Sequence, residues 1–275
     1  MSNLEELPSL RAVIEQYGLQ AKKSLGQHFL CDLNLTRRIV EKAGDLSGCA
    51  VFEVGPGPGG LTRALVESGV STLYAIEKDA RFLAPLQEIV RATHGNVHLI
   101  EGDALKLDLA ALSPPPRAVV ANLPYNVGTE LLLGWLRQID EFRSLTLMFQ
   151  AEVVDRLCAS PGSKTYGRLS VISQFCCDVE RVLDIPAGAF TPPPKVDSAV
   201  VRLVPRKGRP SEIGFQDIEK ITAFAFGQRR KMLRSSLKPC GGEALLLRAG
   251  IDPTLRAENL SLKQFETLAR SVSQP

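Results

Sequence analysis

Long apolar runs are missing from this chain: nothing in its 275 residues approaches the roughly 20 that a membrane-spanning helix needs. No membrane partner is therefore expected. The first residues carry Glu5 and Glu6 and lack an apolar core followed by small residues, so neither a secretory signal nor an acidic-poor mitochondrial presequence is expected. A cytoplasmic protein is the expectation these readings give. Histidine is scarce, at positions 28, 94 and 98 only, and Cys31, Cys49, Cys158, Cys176, Cys177 and Cys240 form no C-x-x-C. No metal constellation follows from that spacing, and scattered cysteines of this kind are expected to be reduced, buried thiols. A net charge of +3 is too small to identify a nucleic-acid partner by itself. What is there, 44% hydrophobic and 23% charged residues, is ordinary for a globular chain with one substantial domain and a small second one.

A series of strand ends carries the chemistry. Val51-Phe52-Glu53-Val54 reads as a strand, Gly55-Pro56-Gly57-Pro58-Gly59-Gly60 as a glycine turn, and the run from Leu61 to Val66 as a helix. A second strand, 72–76, ends on Glu77, and a third, 97–100, leads into Glu101-Gly102-Asp103-Ala104. Gly55, Gly57 and Gly60 satisfy G-x-G-x-x-G, and Glu77 lies about 20 residues on, so a dinucleotide fold must be weighed. Pro56 and Pro58 argue against it, because they remove N–H donors that a pyrophosphate would need. A nucleoside-sized ligand without phosphates fits better. The glycines admit it close to the backbone, Glu77 can accept from both ribose hydroxyls, and Asp103 can accept from an adenine amine. That ligand is S-adenosylmethionine. Glu53 reads either as a support for the glycine turn or as a buried carboxylate that orients it; Glu101 reads as solvated.

A fourth strand, 118–121, runs into Asn122-Leu123-Pro124-Tyr125. Alone, this tetrapeptide reads as an Asx-Pro turn capping the next helix. Beside the upstream turn it suits another task, holding a planar amino group for attack by its nitrogen. The Asn122 amide oxygen and the Leu123 carbonyl can accept the two N–H bonds, Pro124 stiffens the loop, and Tyr125 offers a face for stacking.

With these residues in order the chain resembles the rRNA adenine N6-dimethyltransferase family, from about Lys22 to Leu237. The resemblance includes Lys22-Lys23-Ser24-Leu25-Gly26-Gln27-His28-Phe29-Leu30, Glu53-Val54-Gly55-Pro56-Gly57, Gly102-Asp103-Ala104 and the Asn122 tetrapeptide. It continues in Tyr166-Gly167-Arg168-Leu169-Ser170, Phe190-Thr191-Pro192-Pro193-Pro194-Lys195-Val196-Asp197-Ser198 and Ala225-Phe226-Gly227-Gln228-Arg229-Arg230-Lys231. It is strongest to the bacterial members that dimethylate two adjacent adenines near the 3′ end of small-subunit rRNA. The implied fold is α/β: a Rossmann-like, seven-stranded class I methyltransferase domain with a small all-helical C-terminal domain. The resemblance adds Gln27, His28 and Leu30 as a lid over the cofactor, with His28 standing where many relatives have Asn. Phe190 would stack on the target base opposite Tyr125, held in a loop made rigid by its prolines. The implied substrate is rRNA in a pre-30S particle, acted on by a monomer without a metal.

Distribution of charge supports an RNA partner. Arg230, Arg234 and Lys238 fall at helical i, i+4, i+8 spacing, with Phe224, Ile221 and Leu233 able to face inward. Arg229, Arg230, Lys231 and Arg234 are the expected RNA contacts, Lys22 and Lys23 a weaker second patch. Met232 replaces a Thr frequent in the family. The expected divisions are an N-terminal helical extension (1–20), the methyltransferase domain (21–205) and a helical basic domain (206–275). Helices are expected at Pro8–Tyr17, Asn34–Ala43, 60–68, 79–92, 129–137, 150–159 and 167–175. Further strands are expected at 144–149, 178–184 and 197–204, the last two as an antiparallel hairpin at the sheet edge. Asp252 and Ser261 are read as N-caps of the last helices. Three other classes compete: a relative methylating one large-subunit adenine, a non-catalytic transcription factor on this fold, and a small-molecule methyltransferase. The Phe190 loop, the intact Asn122 tetrapeptide and the basic C-terminal region argue against them in turn.

Overall fold

The computed structural model describes residues 4–22, 26–93 and 95–273. The strands are β1 (Phe29–Leu30), β2 (Ala50–Val54), β3 (Thr72–Glu77), β4 (Val97–Glu101), β5 (Arg117–Asn122), β6 (Ser144–Gln150), β7 (Cys177–Ile185), β8 (Phe190–Thr191) and β9 (Ser198–Pro205). The helices up to the end of β6 are α1 (Leu10–Gln16), α2 (Leu33–Ala43), α3 (Gly60–Glu67), α4 (Leu83–Ala92), α5 (Leu109–Leu112) and α6 (Gly128–Arg137). Beyond it come α7 (Ala151–Leu157), α8 (Arg168–Cys176), α9 (Phe215–Gly227), α10 (Leu233–Ser236), α11 (Gly242–Arg248) and α12 (Leu262–Ser273). Lys23, Ser24, Leu25 and His94, named above, lie outside the described residues.

Among the described residues β4-β3-β2-β5-β6-β9-β7 form one seven-stranded sheet. The strands from β2 to β6 pair in parallel, and β9 runs antiparallel to β6. Every residue of β2 is buried, the pattern of a central parallel strand covered on both faces. Ile39 of α2 and Leu65 of α3 pack with Val51, Leu73, Val97, Ala118 and Val120 in one apolar cluster. Burying side chains of this size contributes about 1.5–3 kcal/mol each. The expected edge hairpin is present, with β9 inside and β7 at the margin. That margin carries Asp178, Glu180, Arg181 and Asp184, all exposed.

Chain order reverses between β3, which lies on one side of β2, and β5, which lies on the other. In open α/β sheets ligands bind at the carboxyl ends of strands beside such a reversal. Here that point carries the glycine turn after β2 and Asn122 at the end of β5. A second, two-stranded sheet pairs β1 with β8, matching Leu30 to Phe190. β1 lies against the first turn of α3, where a Cβ on Gly60 would stand 2.7 Å from the Leu30 carbonyl oxygen. α1 is capped by Ser9, which accepts from the Ala12 N–H at 3.3 Å. Its Val13 packs with Phe29, Phe82 and Leu86. Arg63 of α3 donates to the Pro8 carbonyl at 2.8 Å.

The chain divides into two compact units. One runs to Ala151 and takes in Glu180–Val204; the other is Glu152–Val179 with everything from Pro205 onward. The chain re-enters the second unit at Pro205. The stretch 152–179, read with the first domain, groups with the C-terminal helices. In the second unit Ile218, Ile221, Leu233, Leu246, Phe265 and Leu268 are buried as a core of its own.

Three local readings are corrected. The helix expected over 79–92 opens as a 3-10 turn at Ala80–Phe82, because the Asp79 carboxylate caps the Arg81 N–H at 3.3 Å. Asp252 starts no helix: its carboxylate accepts from the Thr254 N–H and hydroxyl and closes a turn. Ser261 does cap α12, its hydroxyl accepting from the Gln264 N–H while Gln264 accepts from the Ser261 N–H. Finally, α9 ends at Gly227 and α10 begins at Leu233, so Arg230, Arg234 and Lys238 do not share one helix. Gly227 and Gln228 break the run that the four-residue spacing had joined.

Candidate active site

A cavity of about 350 Å3 opens at the carboxyl ends of β2, β3 and β5. Its lining brings together Gln27, His28, Leu30, Gly55, Gly57, Glu77, Asp103, Asn122, Leu123, Pro124 and Tyr125. These come from five separate segments of sequence. The glycine turn is close to the Asn122 loop: a Cβ on Gly55 would lie 3.6 Å from Cδ of Pro124.

The acidic residues are held by the chain itself. Glu77 is 6% exposed. One of its carboxylate oxygens accepts from the Gly57 N–H at 3.1 Å, and the other from the Asp79 N–H at 2.7 Å. Burial raises its pKa, and these two backbone donors oppose the rise. Each oxygen keeps a lone pair for a further donor. Asp103 accepts from the Leu105 N–H at 3.1 Å and pairs with the Lys78 ammonium at 2.8 Å, which holds its carboxyl below the usual range. Glu53, 1% exposed, also lines the cavity, and its Oε2 has no hydrogen-bond partner. Burial pushes this carboxyl up to about 8, and the neighbouring Glu77 adds to the rise. Glu53 is therefore the buried carboxylate beneath the turn, one of its two readings.

Tyr125 hydrogen-bonds Ser198 through their hydroxyls at 2.6 Å, which fixes the tilt of its ring. The imidazole of His28 stacks over that ring at 5.5 Å between centroids and 29° between planes. His28 Nδ1 donates to the Pro192 carbonyl at 2.9 Å, and its ring meets Phe190 edge-on at 6.5 Å. Phe190 departs from the expectation. It is 3% exposed, packs in the apolar cluster under β1 and does not line the cavity. Pairing with β1 draws Phe190 inward, and His28 is the aromatic ring that lines the cavity beside it.

Sequence reading missed Asp79 and Arg81. Asp79 lines the cavity and carries a bidentate Arg81, while Gln27 donates to the same carboxylate at 3.0 Å. The only available signal was an acidic residue two positions after Glu77. In the second unit Arg230, Lys231 and Arg234 are exposed. Arg229 is committed internally: it pairs with Glu258 at 3.0 Å and donates to the Lys164 carbonyl at 2.7 Å. Among the described residues no cluster of three or more His, Cys, Asp or Glu is arranged to hold a metal, and no helix is long and apolar enough to cross a membrane.

A seven-stranded sheet of this order, with a glycine turn after β2 and an acidic residue closing β3, defines a class I methyltransferase. The model of the ribosomal RNA adenine dimethylase family matches residues 18–274, and the chain belongs to that family. It is 55% identical over 270 residues to the ribosomal RNA small subunit methyltransferase A of Paramagnetospirillum magneticum, covering 98% of this chain and 96% of that relative. Among solved structures, a dimethyladenosine transferase from Plasmodium falciparum shares the fold with a TM-score of 0.75 at 24% identity, over 88% of this chain and 96% of that one. The 23S rRNA methyltransferase ErmE aligns with a TM-score of 0.68 at 25% identity, over 90% of this chain and 100% of its own.

Proposed function

We propose that this protein transfers methyl groups from S-adenosylmethionine to N6 of two adjacent adenines near the 3′ end of small-subunit rRNA, in a pre-30S particle. The observation that carries this reading is the single cavity wall shared by the glycine turn, Glu77, Asp103 and the Asn122 tetrapeptide. The residues present fit the cofactor. Glu77 keeps acceptor capacity for ribose hydroxyls, Asp103 for an adenine amine, and the orphaned Glu53 Oε2 is free to meet a further polar group deep in the cavity. Gln27, His28 and Leu30 would roof it. Bound there, S-adenosylmethionine supplies a methyl group on a positively charged sulfur, already activated for displacement.

The chain's own task is then positioning. Adenine N6 is a poor nucleophile because its lone pair is delocalised into the ring. Hydrogen bonds from N6–H to the Asn122 amide oxygen and the Leu123 carbonyl orient the nitrogen and favour its pyramidal form as positive charge develops. The methylated nitrogen is strongly acidic, so its proton leaves to water and no general base is needed. Tyr125 supplies one stacking face for the extruded base. Phe190 supplies the other once His28 withdraws from between the base and the loop. Arg230, Lys231 and Arg234 meet phosphates, which position the RNA without reading its sequence. The protein acts as a monomer in the cytoplasm.

Incubation with labelled S-adenosylmethionine and immature 30S subunits, followed by mapping of the methylated adenines, tests the proposal. Two adjacent dimethyladenines near the 3′ end of the small-subunit rRNA are expected. Label confined to large-subunit rRNA, or to no rRNA, would overturn it.

A further inference from the structure

Arg81 is not part of the cavity lining, yet it holds several of the residues that are. Its Nε lies 2.9 Å from one Asp79 carboxylate oxygen, and its Nη2 donates to the other. The same Nη2 reaches the Gln27 side-chain oxygen at 3.2 Å, and Nη1 donates to the Gln20 carbonyl at 2.9 Å. Gln27 closes the ring by donating to Asp79 at 3.0 Å and accepting from the Lys22 N–H at 2.9 Å. Asp79 in turn gives its N–H to Glu77. One guanidinium thus joins the end of the N-terminal extension, the lid residue Gln27 and the strand end that carries Glu77.

The charges make the arrangement stronger than a set of surface contacts. The Asp79 side chain is 9% exposed and Arg81 30%. Arg81 holds the Asp79 carboxyl well below the usual range, and the charge of Asp79 is one of the causes that raise Glu77. Without Arg81, a buried carboxylate would stand uncompensated two residues from Glu77, and Gln27 would lose one side of its seat. Both faults fall on the cofactor side of the cavity and neither on the Asn122 loop.

We infer that Arg81 is a positioning residue for the cofactor, clasping the N-terminal extension and the Gln27 lid to the Glu77 strand end. This rests on the proposed methyltransferase reading. Loss of Arg81 weakens S-adenosylmethionine binding and leaves transfer at saturating cofactor nearly intact. Arg81→Lys restores part of the loss, because an ammonium can pair with Asp79 but cannot span Asp79, Gln27 and the Gln20 carbonyl together.

The test is calorimetry of S-adenosylmethionine with the full chain, alongside methyl transfer to immature 30S subunits at saturating cofactor. Arg81→Ala is expected to weaken affinity about tenfold, the cost of leaving a buried charged group unpaired, with kcat within about twofold. Gln27→Ala breaks the clasp from its other side and spares the Arg81–Asp79 pair. The two losses should combine to less than their sum, since they share one network. Unchanged affinity in Arg81→Ala, or strictly additive losses in the double variant, overturns the inference. So does a fall in kcat that matches the fall in affinity, the mark of general misfolding. If wild-type protein itself binds no S-adenosylmethionine, the methyltransferase reading fails; wild-type binding with indifferent variants removes Arg81 alone.

Discussion

The acidic groups of the cavity and the basic groups of the second unit are handled in opposite ways. Glu77, Asp79 and Asp103 are each tied to neighbouring N–H groups or cations of their own chain. Arg230, Lys231 and Arg234 stand exposed, and of that basic run Arg229 alone is spent, among the described residues, on an internal ion pair. The difference suits what each is proposed to hold. A small ligand whose reacting atom must be aligned needs acceptors that do not reorganise. A polyanion gains from point charges on long side chains, since every phosphate presents the same target. Fixed geometry belongs to the cavity, loose charge to the exposed basic run.

The largest effect should come from Asn122, the cavity side chain proposed to accept from the base's amino group. Asn122→Ala is expected to lose about 100-fold or more in single-turnover methyl transfer while calorimetry finds cofactor affinity within a few-fold of wild type. A parallel loss of affinity would move Asn122 to the cofactor side. Next comes Glu77→Ala, expected to weaken S-adenosylmethionine about tenfold or more and to lower Tm, because the Gly57 and Asp79 N–H groups lose their acceptor. Asp103→Ala should cost less, since its carboxylate is shared with an exposed Lys78. If neither variant changes affinity, this cavity does not hold the cofactor.

On the other side of the comparison, replacing Arg230, Lys231 and Arg234 by Gln should make the log–log salt dependence of subunit binding shallower by about 2 units without changing Tm. Arg229→Ala should do the reverse, lowering Tm slightly and leaving the slope nearly alone. An unchanged slope in the folded triple variant would remove the RNA-contact role. The smallest effect is one of pH. Glu53 has a folded pKa raised from 4.5 to about 8, so its contribution to stability is complete below about 4.5 and declines as pH rises toward 8. Melting curves should show Glu53→Gln gaining on wild type between pH 5 and 8; a constant difference would mean Glu53 is not buried in its neutral form.

The central sheet could be read from sequence because its signals are local. A fully apolar run such as 118–121 followed by Asn122, or a glycine turn after Val54, specifies strand and turn without distant partners. The same holds for Glu77 and Asp103, which strand ends deliver to one rim by topology alone. Arg81 was invisible because, beyond its neighbour Asp79, its partners lie at positions 20 and 27, and only folding joins them. The burial of Phe190 was not legible because a two-residue pairing with β1 leaves no periodicity to detect. The basic stripe failed for a related reason: the four-residue spacing across 230–238 held, but the helix did not, since Gly227 ends it. The grouping of 152–179 with the C-terminal helices depends on packing of α8 beside α9, which neither sequence announces.

The exposed charges along β7 bear on a different hazard. A nine-residue margin strand is a template on which a second copy could add its own strand, and the risk is greatest while newly made chains are crowded and incompletely folded. Asp178, Glu180 and Asp184 crowd acidic charge along such a pairing of identical margins, with Arg181 the one opposite charge among them. Replacing them with valine would leave the cavity untouched yet turn the sheet's border adhesive, so the yield of soluble protein depends on residues that take no part in its chemistry.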